Sequence, residues 1–209
     1  MVLEISPPHQ TWQQGEVGGL TTILVRQLLT ELQLSPAFEV YPWARAFYIA
    51  TSTPNVLIYN MARTTERETE FHWIGPVATY RLGLVRLTER TDLTPNHLKD
   101  LGSAVIAVQR DDFSYHWLKQ QGMKVGKELQ LSADILESWR LFLKGKVDYV
   151  IDDEAADLDG ASRARIEGAL RGLDRRARMT LPGWRSMISP PGYSMLWRMP
   201  PRLSLEWLP

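Results

Sequence analysis

The sequence predicts an α/β protein built as two similar lobes, and two observations carry that expectation. Strand signals alternate with helix signals, as in a parallel sheet covered by helices, and the alternation occurs twice, over residues 2–59 and again over 94–154. The second observation is the stretch 41–76, where an aromatic-proline-aromatic corner, a short helix, an apolar run and an arginine-rich turn follow one another without a gap. Polar residues gather there just past a predicted strand, and in open α/β sheets ligands bind beyond the carboxyl ends of strands. The candidate site is therefore expected at that turn.

Taken in order, residues 2–5 form a short strand that runs into Pro7-Pro8, and 6–19 read as a loop containing His9 and Trp12. Residues 20–32 place apolar side chains at 20, 23, 24, 28, 29 and 32, the period of an amphipathic helix. A strand over 38–41 follows. Trp43-Ala44-Arg45-Ala46-Phe47 starts a helix that ends before Pro54, because the residue preceding proline is pushed out of the α region. Val56-Leu57-Ile58-Tyr59 is a strand, β-branched at Val56 and Ile58, and Asn60, Arg63, Glu66 and Arg67 come after it. Residues 71–76 lead into a largely buried strand over 81–87.

The second half opens with Thr94 as an N-cap and Pro95 at the first helical position. A buried strand is expected over 104–108. A helix over 112–121 has acidic residues at its start and Gly122 past its end. Ser132 opens an amphipathic helix over 132–144, and a strand over 149–151 ends in Asp152-Asp153-Glu154.

Composition narrows the function classes. The 209 residues suit one domain or two small lobes, and the 24 Lys plus Arg balance 24 Asp plus Glu, so net charge points to neither nucleic acid nor a membrane surface. The absence of cysteine removes disulfides and thiol catalysis. His9, His72, His97 and His116 lack metal-ligand spacing, and Ser114 has no partner histidine at an informative spacing, so neither a metal centre nor a nucleophilic triad is expected. No apolar run is long enough to span a bilayer. The N-terminus lacks the zones of a signal peptide; either the chain is cytosolic or an export signal has been removed, Met1 then being an added start.

Pro42-Trp43-x-Arg45-Ala46, Pro54-Asn55, and Arg63-x-x-Glu66-Arg67-Glu68-x-x-Phe71-x-Trp73-x-Gly75-Pro76 resemble the first lobe of bacterial extracellular solute-binding proteins of the amino-acid-binding type (family 3). The second lobe agrees in Val108-Gln109-Arg110-Asp111, in Tyr115 to Leu118 with Gly122, in Leu143-x-x-Gly145-x-Val147-Asp148 and in Asp152-Asp153-Glu154. The resemblance covers residues 2–156. It implies a type II periplasmic-binding-protein clamshell, with lobe 1 from 1–79 plus 154–209, lobe 2 from 80–153, and hinges near 79–84 and 152–154. It also implies a monomer that binds a small molecule in the periplasm and presents it to the membrane permease of an ABC transporter. No cofactor is implied.

Residue by residue, the resemblance makes Arg67 the clamp for the ligand's α-carboxylate, a role suited to a planar fork of donors. Asp153 matches the acid that holds the α-ammonium. Trp43, Tyr59 and Trp12 are the candidate aromatic sandwich, Asn60 lines the first lobe, and the backbone at Arg110 and Asp111 would offer N–H groups at the start of the helix. The chain departs from the pattern at two places that bear on ligand identity: Arg110-Asp111 replaces a small pair, and Asn60 and Ala62 replace Ser or Thr. Plainer roles exist beside these. Arg67 could pair with Glu66, Glu68 or Glu70 on a solvated turn, Trp43 and Trp73 could be core anchors, and three consecutive acids on a strand cannot all face one site. Two other functions share the fold: a receptor's sensor module, and a dehydratase-type enzyme, for which Glu66, Asp153 and His72 are the available acids and bases.

The family pattern stops at residue 157. Residues 161–178 hold six arginines, lysine is absent after Lys146, and prolines stand at 182, 190, 191, 200, 201 and 209. One helix is expected near 162–173, then mostly irregular chain, as either a variant tail that covers the first lobe or the product of a reading-frame change.

Overall fold

The structure, a computed structural model, describes residues 1–80, 82–87, 89–93, 95 and 97–153, and the backbone of two tail strands at 179–180 and 193–198. The expected helix near 162–173 and acid at Glu154 lie outside the described residues. The chain divides into two compact units, with the described residues Met1–Ile5, His9–Thr79 and 193–198 in the first, and Ser6–Pro8 with the residues from Tyr80 through 180 in the second. Among the described residues no helix is long and apolar enough to cross a membrane.

In the first unit, strands β1 (Val2–Leu3), β4 (Glu39–Val40) and β5 (Val56–Ala62) run parallel, and β6 (His72–Ala78) closes the sheet. The tail strand β12 (Tyr193–Arg198) inserts antiparallel between β5 and β6, giving the order β4-β1-β5-β12-β6. Irregular chain was the expectation there. Tyr-Ser-Met-Leu-Trp-Arg shows no useful alternation, but a strand paired on both edges is held by main-chain ladders that require none.

Helix α1 (Leu20–Glu31) covers one face of this sheet and α2 (Trp43–Ser52) the other. Consecutive strand residues therefore go to different cores. Leu3 and Tyr59 join Val25 and Leu29 beneath α1, whereas Val2 and Ile58 join Trp43, Ala46 and Ala50 beneath α2. The inward face of α1 is not the predicted one. Thr21, Thr22, Val25 and Leu29 are buried, and Leu20 and Ile23 are 62% and 63% exposed. Hydrogen bonding fixes this rotation: Thr21 N and Oγ1 both donate to the His9 carbonyl, at 3.1 and 2.8 Å, and Thr22 Oγ1 bonds the Tyr59 hydroxyl at 2.8 Å.

The predicted loop 6–19 contains a hairpin, β2 (Thr11–Gln13) and β3 (Glu16–Gly18), joined by Gln14 and Gly15 at φ 53° and 87°, the two positive angles of a type I′ turn. Helix α1 ends in a Schellman motif: Leu34 N donates to Leu29 O, and Gln33 N to Thr30 O, with Gln33 at φ 54°. A side chain is penalised in that left-handed conformation. Gln33→Gly is thus expected to stabilise the protein by a few tenths to about 1 kcal/mol, read as a higher urea midpoint at unchanged slope.

In the second unit, β8 (Ile106–Gln109), β9 (Leu129–Ser132) and β10 (Tyr149–Asp153) are parallel; β7 (Leu82–Leu87) pairs antiparallel with β10, and β11 (Met179–Thr180) antiparallel with β7. Helix α4 (Ile135–Leu143) packs Ile135, Trp139 and Phe142 against Val85, Ala107 and Val150. Helix α3 (Phe113–Gln120) contributes the buried Ser114 and Leu118.

Two helix starts differ from expectation. Ser132 ends β9, where its hydroxyl bonds the Val108 carbonyl and Ser138 Oγ. Asp134 caps α4 instead, accepting from Glu137 N at 2.7 Å while the Glu137 carboxylate reaches back to Ala133 N at 2.6 Å. Asp134-x-x-Glu137 is the stronger capping signal because it satisfies two end donors reciprocally. The helix expected from Thr94 and Pro95 is a four-residue 3₁₀ turn, Leu98–Leu101, entered at His97 and stopped by Gly102 at φ 59°.

Candidate functional site

In the first unit Asn60 and Arg67 stand at the carboxyl end of β5, whereas Trp43 and Tyr59 belong to the cores on its two faces and Trp12 lies on β2. Asn60 stands inside β5 at φ 65°, a left-handed conformation that asparagine tolerates better than most residues. It makes a bulge: β12 pairs Ser194 with Met61 and Leu196 with Ile58, so one residue of β5 is extra. The bulge resets the alternation, which is why Ile58 and Met61 lie in the same core. The Asn60 side chain is buried and donates from Nδ2 to Gln10 Oε1 at 2.9 Å, and Gln10 Nε2 reaches the Tyr59 carbonyl at 3.4 Å. Asn60, Gln10, Tyr59 and Thr22 thus form one buried polar network joining β5 to the start of α1.

The turn after β5 directs its arginines differently. Arg63 donates from Nε to the Glu68 carboxylate at 2.8 Å and forms a second, shorter bond through its terminal nitrogen, both side chains being about half exposed. The bond holds the Glu68 carboxyl below its usual range and raises Arg63. Arg67 turns inward and is 7% exposed. Its guanidinium donates to the Ala62 carbonyl at 3.2 Å and lies 4.9 Å from the Phe47 ring centroid and 5.7 Å from that of Trp43. A solvated turn is therefore not where Arg67 sits; it is a buried cation over aromatic faces at the end of β5.

Of the three expected sandwich aromatics, only Trp12 is exposed, at 54% on β2. The Trp43 ring is taken up by the α2 core, stacked 5.8 Å from Phe47. Tyr59 is a core residue beneath α1, and burial pushes its hydroxyl up to about 12. Both aromatics occupy these places because α1 and α2 cover both faces of the sheet.

In the second unit, Arg110 is exposed and Asp111 is half-buried at φ 57°. The expected backbone donors are largely engaged: Arg110 N donates to Ser132 O at 3.1 Å, Asp112 N to Gln109 O at 3.4 Å, and Ser114 N to the Asp112 carboxylate at 3.1 Å. Asp112 is itself the anion at the start of α3. Asp153 is the last residue of β10 and is 3% exposed. Its neighbour Asp152 accepts Trp139 Nε1 at 2.6 Å and Asp153 N at 2.7 Å. Strand alternation puts Asp152 on the α4 face with Val150, and Asp153 on the other. Among the described residues no group of His, Asp or Glu could hold a metal ion.

The hairpin, the bulge at Asn60 and the Trp139–Asp152 bond were absent from the sequence reading. Gln14-Gly15 between Thr11-Trp12-Gln13 and Glu16-Val17-Gly18 was a modest signal for the first; a lone Asn inside a strand run is a weak one for the second.

No protein-family model matches the chain, and no curated protein does. Solved structures do match. A histidine kinase sensor domain similar to periplasmic binding proteins has a TM-score of 0.76 at 18% identity, covering 95% of this chain and 82% of its own. An arginine transport-system periplasmic binding protein from Legionella pneumophila gives 0.72 at 18% identity, covering 94% and 85%. The arginine-, lysine-, histidine-binding protein of Geobacillus stearothermophilus gives 0.69 at 14% identity, covering 94% and 81%. The chain therefore has the two-lobed α/β fold of the periplasmic binding proteins.

Proposed function

We propose that this chain captures an amino acid or similar small polar solute without transforming it, as the periplasmic solute-binding component of an ABC transporter. Arg67 carries the reading: a buried guanidinium over aromatic rings, just past the carboxyl end of β5, supports ligand binding at that end of the sheet. In this reading Arg67 holds the ligand's carboxylate, Asp153 its ammonium group, and Trp12 supplies an exposed ring. Asn60, Trp43 and Tyr59 keep the β5 end in place, and Arg110 and Asp111 contribute around the start of α3. The binding-protein neighbours support solute capture; the kinase sensor domain among them supports a second reading, in which the same binding event is sensed.

The test is a thermal-shift screen of the twenty L-amino acids, polyamines and small carboxylates, followed by calorimetry. A ligand at 100 times its Kd is expected to add about 2.7 kcal/mol of stability. Saturable binding of an unchanged compound supports capture. Product formation from a bound acid would establish the enzyme instead, and no stabilisation by any compound would overturn the proposal.

A further inference from the structure

We propose that Trp139 and Asp152 are positioning residues for Asp153, holding the end of β10 so that the Asp153 carboxylate is presented to a ligand ammonium group. The inference rests on the role given to Asp153 above and goes beyond it, since neither positioning residue touches the ligand. Three observations carry it.

First, Asp152 is bonded on both oxygens: Oδ2 accepts from Trp139 Nε1 at 2.6 Å, and Oδ1 from Asp153 N at 2.7 Å. Bonds accepted by a carboxylate oxygen are shorter and roughly twice as strong as those between neutral groups. Second, the anchor does not move easily. Trp139 is 2% exposed, meets Phe142 edge to face at 5.6 Å, and shares a core with Val85, Ala107 and Val150. Third, the bond falls at the last described rung of the β7–β10 ladder, where Asp153 is opposite Leu82. The side chain of Asp152 there links α4, through one carboxylate, to the main-chain N–H of Asp153.

Alternation then divides the work between adjacent acids. Asp152 turns toward α4 and Trp139, and Asp153, on the opposite face, is the acid to which the proposed function gives the ligand. A displacement of about 1 Å in a binding group is enough to degrade a geometry that depends on aligned charge-assisted bonds.

The experiment compares wild type, D152A, W139F and D153N. Each is titrated by calorimetry with the L-amino acid giving the largest thermal shift among the twenty, and with the same compound lacking its α-amine. D153N is expected to weaken the amine-bearing compound and spare the deaminated one. D152A and W139F should reproduce that selectivity in milder form, weakening the amine-bearing compound by about tenfold and the deaminated one by less than about twofold. A purely structural role would lower both affinities alike, or neither. Asp152 is only half-buried, so D152A keeps the test readable if W139F unfolds. If D153N discriminates but D152A and W139F do not, the positioning role is overturned alone. If D153N fails to discriminate, or no amino acid binds, the role of Asp153 falls and this inference falls with it.

Discussion

A chain ending at residue 190 is expected to lose the cooperative unfolding transition of its first unit. Strand β12 lies between β5 and β6 and pairs with both, from Tyr193 opposite Ala62 and Ala78 to Trp197 opposite Leu57 and His72. These two strands are not neighbours in the sheet, so removing β12 detaches β6 and strips main-chain partners from one whole edge of β5. With each lost hydrogen bond contributing about 1 kcal/mol and each buried unpaired group costing more, the loss is on the order of the total stability of a domain. Leu196→Pro makes the same test with one substitution. Leu196 pairs with Ile58 on one side and Trp73 on the other, and proline in a strand with two partners deletes a ladder donor. Far-UV circular dichroism on heating reads both variants. An unchanged melting temperature in the truncated chain would remove 193–198 from the sheet and favour a frame-changed tail.

What was legible in the sequence followed from local chemistry. The helix over residues 20–31 was announced by its period, and the helix from Trp43 by an unbroken run closed before Pro54. The helix from Phe113 was announced by Asp112 at its start and Gly122 past its end. Position on the chain was therefore easy, and orientation was not. The apolar stripe of α1 predicted an inward face containing Leu20 and Ile23, but the threonines beside them bond to His9 and Tyr59, partners no window of the helix contains. Ser132 was a valid capping residue locally, yet β8 needed a fourth parallel rung at that position, and Ser132 pairs opposite Gln109. The site divides the same way. Arg67 could be picked out by its motif, while its burial over Phe47 depended on α2 and β5 meeting across the sheet. Trp43 already offered a core-anchor role in the sequence, but Tyr59 stood as a ligand platform because nothing local records that its face of the sheet is covered.

Arg67→Ala is expected to lower both ligand affinity and stability, by different amounts that separate its two roles. For stability, the variant forfeits a desolvated cation–aromatic contact worth about 2 kcal/mol and leaves the Ala62 carbonyl without the bond it accepts at 3.2 Å, a further 1–3 kcal/mol or so. In a chain of this size each kcal/mol is about 2–4 °C, so a fall on the order of 10 °C is expected. For binding, loss of a bidentate charge-assisted contact to a carboxylate costs about 2–4 kcal/mol, a weakening on the order of 100-fold. Arg67→Lys distinguishes these effects. An ammonium can still sit over Phe47 and recover part of the stability, but a point charge cannot form the planar fork, so affinity should recover far less. Calorimetry is to be done well below the lowered melting temperature, so that every variant is folded when the ligand is added. Affinity that tracks stability across Ala, Lys and wild type would make Arg67 a structural cation of the first unit. Affinity that stays low in Arg67→Lys while the melting temperature returns supports the carboxylate clamp.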